Sequence, residues 1–295
     1  TRMYTEYSNN LVVGSDLYAI KKGHVDVPTL VRIDSTGKEH RISTFSYDVG
    51  RLQKSDGKLY WSEGIEDERW SLQTHSKIRY MEDGSRKKHT LDNDKLLYNP
   101  APSGDRAAVT FYEVGGRSGI DIIDLGTGKS LQSFTAPDSL QITETAWISD
   151  DIYAAAISDN GYGIYRLKTG SEGLWETVLA PQPVMIKDFT SHEGELIFAC
   201  DRTGVHELYH LSPSDGSLIQ KTSLRYGASD FQYSEDGKWL YYSSQTLDGK
   251  RIYKTAVDSL MDMRVDFTER HLYPIAEKVT QQERELAAAR GVQDN

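Results

Sequence analysis

Five residues, His206-Glu207-Leu208-Tyr209-His210, spell H-E-x-x-H. On a helix that spacing places two imidazoles on one turn, where they can share a zinc ion while the carboxylate between them acts as base. The chemistry therefore depends on the element that carries the residues. The stretch aligns with Gly163-Ile164-Tyr165-Arg166-Leu167, one period earlier in the chain, and reads as a strand. Four strand steps of about 3.3 Å part the two rings by about 13 Å, too far for one ion. Cys200 is the only cysteine, so neither an internal disulfide nor a multi-cysteine metal site can form. Its place at the end of an apolar run reads as a small buried thiol. Asp56, Asp150 and Asp236 fall in recurring polar turns and read as turn formers, not as an acid and base pair. No G-x-S-x-G elbow, phosphate loop or dinucleotide fingerprint occurs, and Gly115–Gly119 reads as a hairpin loop. No catalytic residue, metal site or cofactor is expected, and a non-enzymatic role is favoured.

The elements that would position any site come in a repeat. "GSDLYAIKK", "SDGKLYWSE", "SGDRAAVTF", "SDDIYAAAI", "HEGELIFAC" and "EDGKWLYYS" are six versions of one phrase. Their apolar runs begin at Leu17, Leu59, Ala107, Ile152, Leu196 and Leu240, so successive spacings are 42, 48, 45, 44 and 44 residues. Five of the runs are followed by a hairpin pattern such as "TLVRIDSTGKEHRI" (29–42) or "GIDIIDLGTGKSLQSF" (119–134), with Gly and Asp supplying the turn. A weaker strand precedes each run. Four short antiparallel strands per period predict an all-β fold, a six-bladed β-propeller of four-stranded blades, because one such sheet cannot cover both of its faces alone.

The propeller is expected over residues 1–260. The leftover "RMYTEYS" (2–8) is expected to pair into the last blade and close the ring. Residues 261–295 form a tail, with a short C-terminal helix expected at about 281–290, where Thr280 and Glu283 make a capping-box pattern.

A net charge of −10, from 34 Lys and Arg against 44 Asp and Glu, disfavours a nucleic-acid partner. No apolar run approaches 18 residues, so no spanning helix is expected. The start at Thr1, without Met or a signal-like segment, reads as a processed or trimmed N-terminus.

The phrases "SDGKLYWS" and "EDGKWLYYSS", each followed by an Ile-Tyr or Ile-Arg-Tyr strand and a polar turn, resemble the repeat of TolB-like six-bladed propellers. This WD40-like repeat is related to those in the propellers of prolyl oligopeptidase and tricorn peptidases. The resemblance covers roughly residues 10–258. "YWSEGIEDERWSLQTHSKIRY" (60–80) further resembles a blade of large exported bacterial proteins that join such a propeller to other domains. The resemblance implies a periplasmic, cell-surface or secreted protein that presents one loop face to a protein or peptide partner, and linkage to another domain.

The loops joining the middle strands of each blade should form that face. They are residues 21–28, 62–76, 112–119, 158–163, 201–206 and 244–251. Glu66, Asp67, Arg69 and Trp70 in the longest of them, with Tyr112, Arg117, Tyr162, Arg202 and His206, are the expected partner-binding residues. Two alternatives stay open. One is the propeller part of an enzyme, either a peptidase gate or a channel-sited lyase or hydrolase in which His24 and His206 would converge with carboxylates. The other is a carbohydrate-binding module marked by clustered Trp and Tyr.

Overall fold

A computed structural model describes residues 4–45, 48–67, 69–70, 74–93, 95–113, 115–170, 173–268 and 273–290. Arg2 and Met3 of the N-terminal segment, Glu68 and residues 71–73 of the second loop, Val114, and residues 291–295 of the tail lie outside them. The chain divides into two units, Thr1–Val265 and Asp266–Asn295.

The first unit is the six-bladed propeller. Blade one contains β1 (Thr5–Val13), β2 (Asp16–Gly23), β3 (Thr29–Ile33) and β4 (Glu39–Thr44). Blade two contains β5 (Gln53–Ser55), β6 (Lys58–Glu66), β7 (Thr74–Glu82) and β8 (His89–Thr90). Blade three contains β9 (Leu97–Ser103), β10 (Arg106–Tyr112), β11 (Ser118–Asp124) and β12 (Ser130–Thr135), and blade four β13 (Gln141–Ile148), β14 (Asp151–Ser158), β15 (Gly161–Lys168) and β16 (Leu174–Gln182). Blade five contains β17 (Ile186–His192), β18 (Glu195–Cys200), β19 (Glu207–Leu211) and β20 (Leu218–Gln220), and blade six β21 (Ser229–Tyr233), β22 (Trp239–Thr246) and β23 (Gly249–Ala256). All strand pairing is antiparallel and between neighbours in the chain, with one exception: β24 (Met263–Arg264) returns from beyond blade six to pair with β20 as a fifth strand of blade five.

The hairpins follow the turn chemistry of their sequences. In blade one Asp34 accepts the N–H groups of Thr36 and Lys38, and Gly37 takes the left-handed conformation that a side chain resists. Asp124 with Thr127 and Gly128 repeats the device in blade three.

The middle strands carry continuous apolar runs because both faces of each blade are covered. Ile152–Ala156 of β14 is buried throughout, whereas β12, on a blade's outer edge, is mostly exposed. The core clusters span consecutive blades. Tyr18 and Leu30 of blade one pack with Leu59 and Trp61 of blade two. Tyr60 and Ile78 of blade two pack with Val109 and Phe111 of blade three, and Ala108 and Ile120 of blade three with Trp147 and Ile152 of blade four. Burial between blades, at roughly 25 cal/mol per Å² of apolar surface, holds the ring together.

The closure of the ring differs from the expectation that the N-terminal segment joins the last blade. Thr5–Val13 pairs with β2 as the first strand of its own blade, and β21–β23 form a three-stranded sheet. The segment read as left over supplies the weak strand that precedes every apolar run. It meets blade six through a backbone bond from Thr5 N–H to the carbonyl of Asp248 in the β22–β23 turn, at 3.0 Å, and through the Arg251 guanidinium over the Tyr7 ring.

In the second unit α1 spans Pro274–Ala289. It begins earlier than the capping-box pattern indicates: proline occupies its first turn, where a missing N–H costs nothing, and Thr280 lies inside the helix. No helix among the described residues is long and apolar enough to cross a membrane.

Candidate functional site

The first strand of each blade faces the central channel, and its register breaks at the same level in five blades. Pairing shifts between Ser8 and Leu11, between Ile142 and Glu144, between Lys187 and Thr190, and between Ser229 and Gln232. In blade three the shift lies between Ala108 and Thr110, opposite Ala101 and Tyr98. Such bulges re-aim side chains. The extra residues Asn9, Asn99, Asp188 and Asp230 have φ of 54°, 47°, 55° and 58°, a conformation that Asn and Asp tolerate better than other side chains. Glu144 and, in blade two, Arg51 occupy the corresponding places, each five residues before a positive-φ turn residue, Ser149 and Asp56.

These residues link the blades in one rotational sense. Glu144 accepts the N–H groups of Asp188 and Phe189 at 3.2 and 2.7 Å. Asp188 accepts the N–H of Asp230 at 2.7 Å, and Asp230 that of Asn9 at 2.8 Å. The Asn9 amide makes long bonds of 3.4 Å to the carbonyls of Val49 and Gly50, and the Asn99 amide donates to the Thr143 carbonyl at 2.7 Å. Arg51 spans from blade two to blade five, donating to the Phe189 carbonyl at 2.9 Å and lying 3.9 Å from the Glu144 carboxylate. Burial, reinforced by Asp188 and only partly opposed by Arg51, raises the Glu144 carboxyl to about 7. Burial and the Asp230 charge likewise raise Asp188. For Asp230 burial acts upward, but an ion pair of 2.7 Å with Lys250, with bonds from Asn9 and Ser229, holds it below the usual carboxylate range.

Where blades five and six meet on the loop face, a cavity of about 300 Å³ opens, lined by Lys187, His206, Ser229, Ser243, Gln245 and Lys250 among others. Gly227 builds one wall. Its φ is 65°, and a Cβ there would lie 2.8 Å from the His206 carbonyl oxygen, so only glycine lets the β20–β21 connection pass this close. Burial, with Lys187 and Lys250 adding to it and Asp201 opposing, holds the His206 imidazole below its ordinary value. A neighbouring groove of about 540 Å³ shares Tyr226, Ser244 and Gln245 with this cavity and adds Leu224, Leu247 and Tyr253. Tyr226 is 63% exposed and Leu247 wholly so.

The residues expected from the sequence separate into distinct roles. Asp67 accepts the N–H groups of Arg69 and Trp70 at 2.8 and 2.9 Å and pairs with His75 at 2.8 Å. The His75 contact, then those two bonds, hold its carboxyl low. It shapes a loop that displays Glu66, Arg69 and Trp70, with the Arg69 guanidinium over the Trp70 ring. Arg117 is exposed and paired with Glu113. The Tyr112 hydroxyl donates to the Ile142 carbonyl at 2.6 Å, tying blade three to blade four. Tyr162 is half-buried, and its hydroxyl is raised by burial and by the nearby charges of Glu144 and Asp201. Arg202 lies in the β18–β19 loop, and His206 ends it. His206 alone of the nine lines the blade five to six cavity. His210 is in strand β19, as its alignment requires, where Nδ1 meets Glu195 at 2.7 Å and Nε2 meets the Tyr233 hydroxyl at 2.8 Å. Cys200 is buried, and burial pushes its thiol up to about 12.

Sequence reasoning passed over Lys187, Tyr226, Leu247 and Lys250, and the channel residues Arg51, Glu144, Asp188 and Asp230. For the channel set a signal existed: a polar residue recurring about five positions before each first turn.

The sequence matches no family model and no curated protein. Solved structures share the fold. The propeller domain of the trilobed protease of Pyrococcus furiosus, described as having an open velcro topology, aligns with a TM-score of 0.57 and 11% identity, over 90% of this chain and 99% of that one. A puromycin-hydrolysing peptidase of Mycobacterium tuberculosis aligns at 0.59 and 12%, over 93% of this chain and 54% of its own, so the chain spans about half of that enzyme. TolB of Acinetobacter baumannii aligns at 0.54 and 12%, over 88% and 68%. The chain is a six-bladed propeller of the TolB-like architecture.

Proposed function

We propose that this chain is a non-catalytic binding propeller that holds a protein or peptide partner in the cell envelope, in the loop-face groove between blades five and six. The observation that carries the reading is the apolar shelf of Tyr226, Leu247 and Tyr253 beside a polar cavity. Exposed aromatic and aliphatic side chains around a concave, partly polar surface are the composition of an interaction site. The six blades hold the loops rigid, which lowers the conformational entropy lost on binding. Similarity to TolB supports the envelope location. The test is selection from a displayed random-peptide library against the purified chain. Bound sequences should lose at least ten-fold in affinity when Leu247→Asp is introduced, and equal binding to the variant would refute the groove.

A second reading, the propeller of a peptidase, is favoured by the likeness to peptidase propellers. A G-x-S-x-G hydrolase domain in the coding sequence flanking these 295 residues would decide for it.

A further inference from the structure

The cavity between blades five and six gathers donors that the fold leaves unused. The Lys187 ammonium makes no hydrogen bond or ion pair among the described residues. Among the described residues the Lys250 ammonium is hydrogen-bonded to Asp230, through one of its three N–H groups. Nε2 of His206 is buried without a partner. A buried ring nitrogen with no partner needs an explanation, because burial strips it of water without giving it a bond in return. Lys187, His206 and Lys250 line one cavity, and the charges of Lys187, Asp201 and Lys250 all reach the His206 ring. The charged side chains of the cavity lining are Lys187 and Lys250, the second balanced by Asp230, so Lys187 is left to be complemented by an anion.

The anion's carrier follows from the neighbouring surface. Tyr226, Ser244 and Gln245 form a common wall between the cavity and the apolar shelf of Leu224, Leu247 and Tyr253. A ligand that fills both must carry a carboxylate and an apolar side chain a few ångströms apart. The last residue of a polypeptide bears both on one Cα, and capture of a chain-end carboxylate is a recurring mode of peptide recognition.

We infer that the blade five to six site binds the C-terminal residue of a partner chain, its α-carboxylate between Lys187, His206 and Lys250 and its apolar side chain on Tyr226 and Leu247. This inference rests on the peptide-binding reading above and specifies the end of the peptide that is read.

The probe is a synthetic pentapeptide mixture with four randomised positions and C-terminal Leu or Phe, prepared as the free acid and as the C-terminal amide. Binding is measured by fluorescence polarisation of an N-terminal label. The free acid should bind at least ten-fold more tightly than the amide. Lys187→Ala should weaken it about ten- to a hundred-fold, the scale of a lost charge-assisted bond, while Lys187→Arg retains most of it. Lys187 has no partner to lose, so the thermal midpoint of Lys187→Ala should match the parent, which separates binding from folding. Acid and amide binding alike, with loss in Leu247→Asp, would overturn the carboxylate site and leave the groove standing. An amide ending in Glu that binds as well as the free acid would reassign the pocket to an acidic side chain and overturn the chain-end reading. Binding of neither form would overturn both the chain-end site and the groove.

Discussion

The Asp230 carboxylate accepts the backbone N–H of Asn9, 221 residues away in sequence, at 2.8 Å. This bond joins the last blade to the first. Its neighbours in the same seam are bonds from the Asn10 amide to the Asp230 carbonyl at 3.1 Å and to the Ser243 hydroxyl at 3.0 Å. No strand crosses the seam among the described residues, so polar side chains carry what strand pairing would otherwise do.

Asp230→Ala should therefore lower stability by about 3 kcal/mol, because it leaves Lys250 and the Asn9 N–H unpaired and places alanine at φ 58°. Asp230→Asn keeps an acceptor and tolerates the backbone, so it should lose distinctly less. Urea unfolding followed by tryptophan fluorescence measures both, and equal losses would argue against the seam.

Glu144 imposes a pH dependence. A carboxyl whose folded value is raised holds its proton more tightly folded than unfolded. It therefore costs nothing below about 4.5, and its cost grows until pH passes 7. Burial acts in the opposite direction at His192, His206 and His210, whose lowered values favour the folded state as pH rises. Comparing variant with parent isolates the carboxyl. Glu144→Gln should gain about 2 to 3 kcal/mol relative to the parent between pH 5 and pH 8. Parallel stability curves would show that Glu144 does not titrate in that window.

Two glycines separate backbone strain from close approach. Gly104 has φ 61° with open space around it, so Gly104→Ala should cost about 1 kcal/mol. Gly227→Ala meets the same strain and also the His206 backbone at 2.8 Å, and should cost at least twice as much in a thermal or urea titration. Equal costs would mean that the connection moves aside freely.

The fold was legible because its signals are local. A phrase spaced about 44 residues apart, with Asp-Gly and Thr-Gly-Lys turns, fixes strands and hairpins before any long-range contact is known. The blade five to six cavity was not, because Lys187, His206 and Lys250 come from three strand ends of two blades, and only the ring brings them together. Arg69 and Trp70 stood out by residue type, yet their loop is organised by Asp67. Seam residues such as Asp230 read as ordinary turn or strand residues, because their partners lie at the other end of the chain.

The Asp67 turn is testable on its own. Asp67→Ala removes the two N–H contacts and the His75 partner, so trypsin should cut after Arg69 several-fold faster. The thermal midpoint should hardly move, since no core residue is touched. An unchanged cleavage rate would place the loop's order elsewhere.

Because Met263 and Arg264 add to the outer edge of blade five, the chain beyond blade six acts as a hem on the sheet before it. A fragment ending at residue 260 would bare the amides of Leu218–Gln220, and such naked edges recruit other chains. One ending at residue 265 would keep the edge covered. Two gene trims five codons apart should thus differ in solubility, the shorter sedimenting as aggregate.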